Sequence, residues 1–108
     1  MNRPADAEII FRLIPTLEGG KDRSIRSGWI PNFKIRDDYL TSAKIELLDT
    51  LELAPGEECR ASVWFITPEI YPNTLWLQRE IAVFEAFRLV GKAVVVTIFN
   101  PVLLRTNG

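Results

Sequence analysis

Catalytic chemistry is largely closed to this chain, because its 108 residues contain no histidine and a single cysteine, Cys59. Without an imidazole there is no Ser-His-Asp or Cys-His relay, no imidazole metal ligand and no base whose ordinary pKa lies near neutrality. The adjacent carboxylates Asp37-Asp38 and Glu57-Glu58 come nearest to an acid–base pair. Neighbours in an extended chain point to opposite faces, so neither pair is placed to act on one substrate. They read as turn residues and solubilising charge. Cys59 begins an inward-facing alternation and reads as an inert core thiol. Gly91-Lys92-Ala93 lacks the upstream glycine and the hydroxyl of a phosphate-binding loop, so no nucleotide hydrolysis follows from it. The expectation is a non-enzymatic protein with no metal, cofactor or nucleotide.

Binding chemistry remains, and it is ionic and aromatic. Lys21, Arg23, Arg26, Lys34 and Arg36 form the most basic stretch, interrupted by Asp22. Together with Arg60 they could contact RNA phosphates; a solvated loop and outer strand face explains the same residues. Thirteen cationic against 14 acidic side chains, a net charge of −1, speak against a protein held to nucleic acid mainly by counterion release. Trp29 could stack on a base or anchor a protein partner, or simply pack against the fold.

These residues need a scaffold, and its periodicity is mostly that of strands. Glu8 to Ile14 predicts a strand ended by Pro15, and Thr16 to Gly28 a surface loop. Phe33 to Arg36 alternates strictly. Tyr39 to Asp49 fits both periods and is taken as a strand. Ala54-Pro55-Gly56-Glu57 is a type II turn signal, and Cys59, Ala61, Val63 and Phe65 alternate with Arg60, Ser62 and Trp64. Tyr71-Pro72-Asn73 marks a loop. Leu77 to Leu89 leaves helix and strand equally open, Val90-Gly91-Lys92 can turn the chain, and Ala93 to Phe99 is a strong strand. Five or six short strands predict a small antiparallel barrel or sandwich, with an α+β fold if Leu77 to Leu89 were helical. No apolar run approaches the ~20 residues of a membrane span, and Met1 to Asp6 holds no hydrophobic signal core. A soluble, cytoplasmic protein is expected.

The order of the short motifs adds a resemblance. Glu18-Gly19-Gly20-Lys21, Gly28-Trp29-Ile30-Pro31-Asn32-Phe33-Lys34-Ile35-Arg36, Ala54-Pro55-Gly56-Glu57, Thr67-Pro68-Glu69 and Phe87-Arg88-Leu89-Val90-Gly91-Lys92-Ala93-Val94-Val95 follow one another as similar segments do in the third, C-terminal domain of elongation factor Tu. The similarity runs from about Glu8 to Phe99. It implies an all-β fold, a small six-stranded antiparallel β-barrel, with a strand at Leu77 to Leu89. The implied organisation is a stand-alone barrel over residues 8–100 between tails at 1–7 and 101–108. The family's third domain contacts aminoacyl-tRNA, packs on the GTPase domain and takes part in binding the exchange factor. Residue by residue, Arg60 stands where the family has a basic tRNA contact, Asn32 where it has Gln, and Glu85-Ala86 where it has Glu-Gly. The chain departs where Ala86-Phe87 replaces Gly-Gly and where Ile30 replaces Arg, which works against a close approach to phosphate.

Trp64 and Phe84 alternate out of phase with Val63/Phe65 and Ile81/Val83, so both are expected outside the barrel, on surface that neighbouring domains cover in the family. The leading expectation is a protein interaction module, binding a protein partner or a second copy through Trp29, Trp64, Phe84 and Phe87, with Asn32 beside them and charges from Arg60 and Glu85. The alternatives are a tRNA-like RNA-binding protein using Lys21, Arg23, Arg26, Lys34, Arg36 and Arg60, and a decoy or immunity protein that competes with elongation factor Tu.

Overall fold

Alternation of apolar and polar side chains builds a closed barrel. The computed structural model describes residues 3–106. Among these, the strands are β1 (Ala7–Leu13), β2 (Ile25–Arg26), β3 (Asn32–Arg36), β4 (Tyr39–Leu47), β5 (Glu52–Leu53), β6 (Glu58–Phe65), β7 (Glu80–Glu85) and β8 (Arg88–Ile98). The six longer strands close in the order β1-β6-β4-β3-β7-β8, every neighbouring pair antiparallel. Closure removes free sheet edges. β2 and β5 form a separate two-stranded ribbon, Ile25 opposite Leu53. Among the described residues no helix is long and apolar enough to cross a membrane.

Strand period decides what lies inside. Ala7, Ile9, Phe11 and Leu13 of β1 are buried while Glu8, Ile10 and Arg12 are partly exposed. Cys59, Ala61, Val63 and Phe65 repeat the pattern on β6. Phe33 and Phe65 meet edge to face at 5.5 Å between ring centroids, in the middle of a core completed by Ile45, Ile81, Val83 and Val95.

Leu77 to Leu89, open between helix and strand on periodicity alone, contains β7. Ile81 pairs with Ala93, Val83 pairs with both Phe33 and Gly91, and both are buried, so contacts with β3 and β8 override the helix propensity of Gln, Arg, Glu and Ala. The turn expected at Val90-Gly91-Lys92 lies instead at Ala86-Phe87, between paired Glu85 and Arg88, with Ala86 in the left-handed region at φ 53°. Gly91 sits in mid-strand for a packing reason: a Cβ there would come within 2.4 Å of Phe11 Cζ. The Ala54–Glu57 turn forms as read, with Gly56 at φ 91° and the Glu57 amide donating to the Ala54 carbonyl at 3.0 Å. The loop at Thr16 to Gly28 carries β2, whose Ile25 is buried.

The segments read as tails are built into the barrel, apart from residues 1, 2, 107 and 108, which lie outside the described residues. Asp6 is fully buried. Its carboxylate accepts from both terminal nitrogens of Arg3, from the Phe65 amide at 2.7 Å and from Asn100 Nδ2 at 2.9 Å. Its carbonyl accepts from the amides of Phe99 and Asn100. Beyond β8, Leu103 is buried and Leu104 bridges to Leu75 in parallel. Long-range pairing of this kind leaves no local mark in a sequence.

Candidate interaction surface

The β7–β8 hairpin shapes the most exposed aromatic feature. A two-residue connection leaves Phe87 no neighbours to sink between, and its side chain is 96 % exposed. Phe84, on the outer face of β7, pairs across the sheet with Asn32 and Leu89 and is half-buried. Phe84, Phe87, Tyr39 and Leu40 are the apolar lining of a groove of about 270 Å³, with Lys34, Asp37 and Asp38 as its charged lining. The groove thus lies over β3, β4 and β7.

The root of the hairpin is held by Glu85. Its carboxylate accepts from Lys21 Nζ at 2.7 and 2.8 Å and from Trp29 Nε1 at 3.0 Å. The Lys21 hydrogen bonds are the main cause that holds the Glu85 carboxyl below its ordinary pKa; partial burial opposes them and the indole N–H reinforces them. Lys21 lies 5.9 Å from the centroid of the Trp29 ring. Trp29 in turn packs edge-on against buried Phe11 at 5.7 Å. The tryptophan therefore links the core to the hairpin and is only half exposed.

Five of the expected contact residues, Trp29, Asn32, Phe84, Glu85 and Phe87, come together around this hairpin. Asn32 is partly engaged, accepting from the Ser42 hydroxyl at 3.0 Å. Trp64 and Arg60 do not join them. Both lie on β6, which β4 and β3 separate from β7, three strand spacings or about 14 Å. Trp64 faces outward as its phase requires, but it is half-buried, its indole donates to the Arg3 carbonyl at 2.8 Å, and Lys44 lies over its ring at 5.6 Å. Arg60 forms an ion pair with Asp49 at 2.9 Å, and the Asp49 carboxylate also accepts from the Arg60 amide. Their hydrogen bond holds the Asp49 carboxyl below its ordinary range and raises the arginine.

The cations proposed for RNA are dispersed in the same way. Lys21 is engaged by Glu85 and Arg26 by Glu52 at 3.5 Å. Lys34 and Arg36 project from β3, and Arg23 stands exposed in its loop. Phe33, beside Lys34, pairs with Thr41, whereas Ala61, beside Arg60, pairs with Leu47 on the same strand. That displacement along β4 is about 20 Å. Arg60 therefore stands apart from Lys34 along the barrel wall.

The remaining candidates are quiet. Asp37-Asp38 connects β3 to β4, and Glu57 accepts from the Ala54 amide at 2.7 Å within its turn. Burial pushes the Cys59 thiol up, away from the reactive thiolate. Sequence reasoning missed Tyr39 and Leu40 as groove residues, because alternation marks an outward side chain without saying which outward neighbours meet.

No protein-family model matches the chain, and no curated protein matches it. The functional reading rests on the surface itself.

Proposed function

We propose that this barrel is a non-enzymatic protein interaction module, similar in kind to the third domain of elongation factor Tu, and that it docks a partner protein through the Phe84–Phe87 surface. The observation that carries the reading is Phe87, almost fully exposed at the tip of a hairpin whose root is fixed by Glu85, Lys21 and Trp29. A lone exposed apolar residue is ordinary. Here Phe84, Tyr39 and Leu40 border the same groove, with cationic Lys34 and anionic Asp37 and Asp38 among them. Aromatic anchors with polar groups around them are the composition of binding hot spots. A hairpin ordered in advance also lowers the entropy cost of docking.

The test compares wild type with Phe87→Asp by size-exclusion chromatography with light scattering and by affinity capture from native extract. The expected result is a partner, a second copy or another protein, held by wild type and lost from the variant at unchanged stability. A wild-type chain that stays monomeric and captures nothing, or a variant that captures the same partner equally well, would overturn the proposal.

A further inference from the structure

A second site lies at the other end of β7, and its ligand chemistry differs from that of the hairpin. The segment between Tyr71 and Arg79 crosses the end of the barrel and is tied down on both sides. The Asn73 and Leu75 amides donate to the Val102 and Leu103 carbonyls at 3.0 and 2.8 Å, the Arg105 amide donates to Leu75 at 2.7 Å, and the Gln78 amide donates to Val95 at 2.8 Å. Thr74, nearly buried, donates its hydroxyl to the Tyr71 carbonyl at 2.7 Å. Asn73 and Gln78 both sit in the left-handed region, at φ 61° and 72°. Non-glycine residues there cost on the order of 1 kcal/mol each and persist where the surroundings enforce them.

Three arginines from different parts of the chain lie against this segment, Arg79 at its end, Arg36 of β3 and Arg105 beyond β8. The Arg79 guanidinium donates to the Ile35 carbonyl at 2.7 Å and to the Thr74 carbonyl, and lies 4.8 Å from the centroid of Trp76. Arg105 lies over the same ring at 5.2 Å, and Arg36 lies over Tyr71 at 5.6 Å. Among the described residues none of these three arginines has a carboxylate within ion-pair distance, and the side chains of Arg36 and Arg105 donate no hydrogen bond. Arg36 and Arg105 lie over rings and keep their N–H edges free, the edge that matches phosphate two bonds at a time, whereas Arg79 already gives an N–H from each terminal nitrogen to a carbonyl. Arg36, Asp37, Asn73, Thr74, Trp76 and Arg79 border a recess of about 420 Å³, within the range that takes a small ligand. Asp37 is the one carboxylate in that lining, against Arg36 and Arg79, and Arg105 lies outside the lining over the Trp76 ring.

We propose that this recess is a phosphate site, holding the phosphate of a nucleotide-sized ligand on the free guanidinium edge of Arg36 and the remaining N–H groups of Arg79, with Arg105 adding positive charge from its place over the Trp76 ring. It needs no glycine-rich phosphate loop, since side-chain donors take the place of backbone N–H groups. A free nucleotide and a single-stranded RNA backbone present the same group; the recess shares Asp37 with the groove beside Phe87 but is not lined by Phe84 or Phe87.

The test is calorimetric titration of the intact chain with ADP, and separately with a short oligouridylate, at low and raised salt. It is repeated with Arg36→Ala/Arg105→Ala, two substitutions that break no protein hydrogen bond, and with Phe87→Asp. Saturable binding that falls at least tenfold in the double variant and is unchanged in Phe87→Asp is the expected result. Tighter binding of ADP names the free nucleotide as ligand. Tighter binding of the oligomer, with affinity falling as salt rises, names the RNA backbone. Absence of saturable binding to either probe at millimolar concentration would overturn the proposal, as would equal affinity in the double variant whose thermal unfolding matches wild type.

Discussion

Replacing Gly91 by alanine tests how the hairpin is held from behind. Gly91 is buried in β8 between Val83 of β7 and Leu13 of β1. An added Cβ would stand 2.4 Å from Phe11 Cζ, 2.6 Å from Phe11 Cε1 and 3.0 Å from the Arg12 carbonyl. Relieving the ring contact requires Phe11 to move by about 1 Å inside a close-packed core. Phe11 is fully buried and braces Trp29, which bonds Glu85, so the displacement propagates toward the root of the hairpin. Overpacking of this kind costs about 1–3 kcal/mol, here toward the upper end because the second obstacle is backbone. For a domain of this length that is a fall in Tm of roughly 10 °C. Thermal unfolding followed by far-UV circular dichroism measures it. A Gly91→Ala protein melting within about 2 °C of wild type would refute the packing argument.

The hairpin tip predicts the opposite sign for the reverse exchange. Ala86→Gly removes a side chain from a residue at φ 53° and should raise stability by about 0.5–1 kcal/mol, read as a small increase in Tm. Asp6→Ala deprives Arg3, the Phe65 amide and Asn100 of one buried acceptor; a loss of about 2–4 kcal/mol in urea unfolding is expected. Glu85 links stability to acid: its folded pKa lies below the unfolded value, so its contribution is present above the ordinary carboxylate pKa and is lost as pH falls through the lowered one. The pair is partly exposed, so the effect is below about 1 kcal/mol, and Glu85→Gln should reduce the decline in Tm between about pH 5 and 3.

How much of this was legible in the sequence follows from how local each signal is. Ala7 to Leu13 and Cys59 to Phe65 alternate because each strand has one face inside, and the Ala54–Glu57 turn is a four-residue event. Leu77 to Leu89 was not decidable on its own residues, since Leu77, Ile81, Phe84 and Arg88 fit a helix while Ile81 and Val83 fit a strand, and only pairing with β3 and β8 selects one. Gly91 reads locally as a turn former, and only the approach of Phe11, eighty residues earlier, shows it as a packing glycine. The candidate surface divides along the same line. Outward phase was readable for Trp64 and Phe84, but the strand order that sets them on different sides of the barrel was not. Arg105 is brought to the Trp76 ring by the return of Leu104 to pair with Leu75, and Arg79 is tied to β3 by its bond to the Ile35 carbonyl, neither of which can be read from the local sequence.

The claim that most needs testing is that the Phe84–Phe87 surface docks a protein. Wild type and Phe87→Asp, matched in thermal stability, should be run side by side in light scattering and in affinity capture. The account predicts a complex present for wild type and absent for the variant, because a carboxylate at a residue 96 % exposed in the free chain leaves the fold intact but is costly to bury in an apolar contact. Equal complex formation by both proteins, or by neither, would contradict it.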